Sequence, residues 1–68
     1  MVDMNLLRYI MGKHGDKQSD LANALNIPQS ALSQRMNGIV SFRQNEMDVI
    51  RKRYGLSADE MLAIFFAS

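Results

Sequence analysis

Apolar residues recur along this chain at helical spacing. Met4, Leu7 and Met11 stand at i, i+3 and i+7, with Leu6 and Ile10 widening the stripe. This predicts an amphipathic helix from an Asp3 N-cap to about His14, with Gly15 as its stop. Lys13 and His14 fall in its last turn, where positive charge complements the helix dipole. Leu21, Ala22 and Leu25 share one face of a second helix, Gln18 to Leu25, which Asp16 is placed to cap. Ala22 and Ala24 are small enough to let another helix approach. Asn26 tolerates the left-handed backbone that ends a helix, Ile27 plugs the corner, and Pro28 suits the first turn of the next helix. That third helix, Gln29 to Asn37, has only Ala31, Leu32 and Met36 as apolar residues. Leu32 and Met36, at i and i+4, hold it down.

Gly38 ends the third helix, and Ile39 to Phe42 form an apolar loop in which Phe42 folds back toward the core. Ser41 is the expected cap of a fourth helix lasting to about Tyr54, burying Met47, Ile50 and Tyr54 with Val49 beside them. Gly55 stops it and Leu56 packs the joint. Ser57 and Glu60 have the spacing of a capping box, with Asp59 and Glu60 at the positive end of a fifth helix. Met61, Leu62, Ile64, Phe65 and Phe66 give that helix more apolar surface than one face can bury. The excess points to a second subunit or to further chain. The expected architecture is all-α, a compact five-helix domain over residues 1–68.

The second and third helices with their tight turn, residues 17–38, have the pattern of a helix-turn-helix, whose second helix lies in the DNA major groove. Opposite Leu32 and Met36 the third helix carries Gln29, Ser30, Ser33 and Gln34, donors and acceptors with almost no charge. Gln can bond an adenine edge twice and Ser can bond several bases, and neither repels phosphate as a carboxylate would. These four are the expected base contacts, with Gln34 foremost; a neutral solvated face is the plainer alternative.

The stretch KQSDLANALNIPQSALSQRMNG resembles the helix-turn-helix of the Cro and phage-repressor family, without a gap. Gln18 opens its first helix, Leu21-Ala22 sits at its packing point, and Asn37-Gly38 closes the second. SFRQNEMDVIRKRYGLSADEM then resembles the two helices that follow in short prophage-type members. Asn26 stands where the family usually has Gly. Arg35 stands where many members have an aliphatic core residue, so Met36 takes over the packing. In the family the first cap is more often the residue before the Gln, here Lys17.

Composition narrows the classes. A chain of 68 residues with 47% hydrophobic and 22% charged residues is a small globular domain. It has no Cys, which excludes a disulfide scaffold and thiolate metal sites and suits a reducing cytoplasm. His14 is the single histidine, so a histidine zinc site is excluded too, and no cofactor is expected. No apolar run approaches a membrane span. The net charge of +1 says little, but Lys17, Arg35 and Arg43 flank the motif with Asp20 as the one intervening carboxylate. Lys17, Gln18, Asn37 and Arg43 are the expected phosphate contacts. Arg35 reaches phosphate or guanine, or is simply solvated, and Asn37 is alternatively just a helix-end residue. Arg51, Lys52 and Arg53 read first as a solvated face. His14 and Asp16 have no nucleophile beside them, so no enzyme is expected.

The resemblance implies a sequence-specific regulator of the bacterial or phage-infected cytoplasm that binds double-stranded operator DNA. No small-molecule ligand is evident. One such domain buries little surface, so tight binding calls for a homodimer, with Ile39, Val40, Phe65 and Phe66 as the expected interface. The rival expectation is a protein-interaction module on the same scaffold, an anti-repressor or adaptor, suggested by the near-neutral charge and the same apolar residues.

Overall fold

The computed structural model describes residues 3–66, which form five helices: α1 (Met4–Lys13), α2 (Gln18–Leu25), α3 (Gln29–Met36), α4 (Gln44–Tyr54) and α5 (Ala58–Phe65). Asp3 caps α1, its carboxylate accepting the Leu6 N–H at 3.2 Å, and the Asp3 N–H donates to the Ile64 carbonyl of α5 at 2.7 Å. Ser57 and Glu60 make the expected reciprocal capping box at the start of α5, at 3.1 and 2.9 Å.

The four turns between helices close in one way. A residue with left-handed backbone is followed by one whose N–H reaches back to a carbonyl five residues earlier. The pairs are Gly15 and Asp16, Asn26 and Ile27, Gly38 and Ile39, Gly55 and Leu56. At Asn26 φ is +58°, a conformation that Asn tolerates at modest cost. An apolar residue after such a turn usually packs back on the helix it closes. Ile27 and Leu56 pack inward against the core, whereas Ile39 is 72% exposed.

The core is one cluster to which every helix contributes. Leu7, Leu21, Leu32, Ile50 and Ile64, one from each helix, are completely excluded from solvent. Met4, Ile10, Met11, Ala22, Met36, Tyr54 and Leu56 surround them. α3 packs chiefly on α2, and α1 on α5.

Several expectations are corrected. α4 starts at Gln44 rather than after Ser41, because the Glu46 carboxylate takes the Arg43 N–H at 2.8 Å and sets Arg43 as the cap. Val49 is exposed, lying off the stripe of Ile50 and Tyr54. Pro28 is the N-cap of α3 rather than its first-turn residue. Phe65 is buried, meeting Phe42 edge-on at 5.3 Å, so it belongs to the core and not to an open interface. Asp16 caps nothing. Asp20 takes the Lys17 N–H at 2.8 Å, and Lys17 is the N-cap.

Asp16 instead ties the α1–α2 turn to the end of α4. It accepts two hydrogen bonds from the Arg53 guanidinium, at 2.7 and 3.0 Å, and one from the Tyr54 hydroxyl at 2.7 Å. The Arg53 hydrogen bond holds the Asp16 carboxyl below the ordinary Asp range, and Tyr54 adds to this against the effect of burial. Burial, followed by the hydrogen bond to Asp16, pushes the Tyr54 hydroxyl up. The His14 ring lies 5.1 Å from that of Tyr54, so the C-cap of α1 also meets this cluster.

Leu21→Ala should lower stability by about 2–5 kcal/mol in urea unfolding, whereas Val49→Ala should change it by no more than about 0.5 kcal/mol. A carboxyl depressed by folding adds stability that is present above its unfolded pKa of about 3.9 and lost as pH falls through the folded value. Urea melts of Asp16→Asn should therefore show a less stable protein at neutral pH and a shallower loss on acidification below about pH 4. Equal acid slopes for the two proteins would contradict the Asp16 clamp.

Candidate nucleic-acid interface

α3 has a divided surface that follows from its spacing. Leu32, Arg35 and Met36 fall at i, i+3 and i+4 and are all buried. At about 100° per residue, Gln29, Ser30, Ser33, Gln34 and Asn37 fall within an arc of about 140° on the other side. Gln29, Ser30, Gln34 and Asn37 are exposed and Ser33 is half-buried. Asn37 Nδ2 donates to Ser33 Oγ at 3.4 Å, a long bond that links two of the five. The face thus combines amides and hydroxyls with no carboxylate among them. It can offer paired donors and acceptors to a flat polar edge without repelling a polyanion.

The flanking residues stand at helix starts. Lys17 is exposed at the cap of α2, with Gln18 half-buried next to it, and Arg43 is exposed at the cap of α4. The first N–H groups of a helix lack intrahelical partners, so Gln18 presents a backbone donor as well as an amide. Both nearby carboxylates are engaged internally, Asp20 with the Lys17 N–H and Glu46 with the Arg43 N–H.

Arg35 corrects the expectation most. Its side chain is only 10% exposed and points inward, so it is neither solvated nor placed for phosphate or guanine. Nε donates to Glu46 Oε1 at 2.9 Å and Nη1 to the Ala31 carbonyl at 3.1 Å. Burial raises the Glu46 carboxyl, but the Arg43 N–H and the Arg35 guanidinium outweigh it and hold the group below the ordinary Glu range. The sequence position of Glu46 does not mark it as functional. The signal for it is the stripe itself: an Arg between Leu32 and Met36 on the buried side needs an acid, and Glu46 lies in the first turn of the next helix.

The expected interface residues separate. Ile39 and Phe66 are 72% and 61% exposed and Val40 is partly so, while Phe65 is in the core. Val40, Phe42, Met47, Phe65 and Phe66 line a groove of about 460 Å³. Among the described residues no cluster of His, Cys, Asp and Glu could hold a metal ion. No helix of the described residues is long and apolar enough to cross a membrane.

A helix-turn-helix family model, HTH_3, matches residues 7–61, from within α1 to within α5. Comparison with curated proteins and with solved structures returns no match. The family match spans well over half of the chain and includes the whole of α2, the Asn26 turn and α3. The chain therefore belongs to the Cro/C1-type helix-turn-helix family of DNA-binding regulators.

Proposed function

We propose that this chain is a sequence-specific transcriptional regulator of the phage or prophage kind, reading an operator half-site in the major groove through α3. The observation that carries the reading is the outward face of Gln29, Ser30, Ser33 and Gln34, opposite the buried Leu32, Arg35 and Met36. Gln34 lies one turn beyond Ser30 and is the leading base contact. Lys17, Gln18, Asn37 and Arg43 fix the register by contacting phosphates. Arg35 has no part in that set, since Glu46 holds it. Bound at an operator, the protein acts by blocking RNA polymerase or by touching it.

Two copies bind together, on half-sites about one helical turn apart. The support is energetic and geometric. Four phosphate contacts per chain leave affinity modest. Ile39 is also exposed at a turn position whose counterparts, Ile27 and Leu56, pack inward. Ile39, Val40 and Phe66 form the contact, without Phe65. The same surface favours the second reading, in which its partner is a different protein and DNA is not read.

On a specific duplex Gln34→Ala should weaken binding by about 1–3 kcal/mol and relax one position per half-site, leaving non-specific affinity unchanged. Lys17→Ala should weaken specific and non-specific binding alike and reduce the slope of log affinity against log salt by about 1. Fluorescence anisotropy titrations at several salt concentrations read both. Binding that is indifferent to salt, or a heterologous protein captured through Phe66, would replace this reading with the second.

A further inference from the structure

We propose that Arg35 and Glu46 form a positioning pair that sets the orientation of α3 relative to the start of α4, and through it the specificity of base reading. This rests on the reading of α3 as the DNA-reading helix.

α3 is eight residues long and has only Leu32 and Met36 as fully buried apolar anchors. Apolar burial is non-directional, so two such anchors leave rotation about the helix axis and tilt weakly determined. A buried Arg–Glu pair is a poor source of stability, since desolvating both charges offsets most of their attraction. It is a good source of direction. The guanidinium is planar, and here two of its nitrogens are fixed, Nε by Glu46 at 2.9 Å and Nη1 by the Ala31 carbonyl of the same helix at 3.1 Å. The first bond fixes the last turn of α3 to α4, and the second fixes the side chain to α3 itself.

The Glu46 atom involved has a second task. The same Oε1 accepts the Arg43 N–H at 2.8 Å, closing the first turn of α4. One carboxylate oxygen therefore joins the helix that reads bases to the residue proposed to hold a phosphate next to it. With that oxygen in place, engaging the phosphate through Arg43 also sets the register of Gln34 and Ser30 in the groove. Without it the two contacts are independent, and α3 can meet wrong sequences by turning. Arg35 and Glu46 touch no base; they act through the helices that they join.

The test is selection from a random duplex pool, with sequencing of the retained DNA, for the wild type, Glu46→Gln and the double variant Arg35→Met/Glu46→Leu. The amide oxygen of Gln can still accept from Arg35 and from the Arg43 N–H, so Glu46→Gln should keep the wild-type preference. The double variant removes both charges together, which by itself is neutral or stabilising, but it also removes the acceptor of the Arg43 N–H, so its unfolding midpoint should stay near or slightly below that of the wild type, still folded at the assay temperature. Its specific-to-non-specific affinity ratio should fall by at least about tenfold, with non-specific affinity retained. A double variant that enriches the same sequence with the same ratio overturns the proposal. If the wild type enriches nothing, the DNA reading itself has failed. The pair is then judged by backbone residual dipolar couplings of the free protein. A changed orientation of α3 relative to α4 in the double variant supports it, and an unchanged one overturns it.

Discussion

Five aliphatic side chains, one from each helix, hold this molecule together. Leu7, Leu21, Leu32, Ile50 and Ile64 are closed to water, and no helix can leave without opening the cluster. A chain of 68 residues has room for one such core and little beyond it. That constraint explains the economy of α3. It gives up one stripe to the core through Leu32 and Met36, and the remainder of its surface is released from packing duty. A longer or more apolar α3 would bury more and present less. The exposed amides and hydroxyls are affordable because the other four helices supply most of the core.

Apolar burial decides which faces go inside but leaves angles loosely set, and the polar contacts between helices settle the angles. Asp16 ties the turn before α2 to the end of α4 through Arg53 and Tyr54. Glu46 ties the end of α3 to the beginning of α4 through Arg35. Both ties end on α4, so this helix spaces the start of α2 from the end of α3. These are the two ends of the helix-turn-helix. The repeated turn closure contributes in the same sense. Each left-handed residue reverses the chain within a few residues, so little of the geometry is left to flexible loops.

Much of this was legible in the sequence because its signals are local. Helical spacing, Asp3, the Ser57–Glu60 box, Asn26 and Gly55 act over a few residues, and they gave helix bounds that the structure repeats closely. One error is local: Ser41 has the side chain of a cap, but Glu46 bonds the N–H of Arg43, three residues before it, and moves the start of α4. The other errors lie where a more distant partner decides. Asp16 has the side chain of a cap, but Arg53, far along the chain, takes it. Residue type alone sends Arg35 to solvent or phosphate, but its spacing from Leu32 and Met36 puts it on the buried stripe. There the period was the better guide than the charge, because a buried acid could receive it. The excess apolar area of α5 points Phe65 outward, yet Phe42 folds back to cover it and leaves Phe66 outside.

Whether the outward face of α3 meets base edges is read by a nuclear magnetic resonance titration of the isotope-labelled protein with a duplex carrying its preferred sequence. Large shifts and intermolecular contacts are expected at the side-chain amides of Gln29 and Gln34 and at Ser30 and Ser33. Smaller, salt-sensitive shifts are expected at Lys17, Gln18 and Arg43. Perturbations centred on Ile39, Val40 and Phe66, with the α3 amides unmoved at any salt concentration, would contradict base reading by α3.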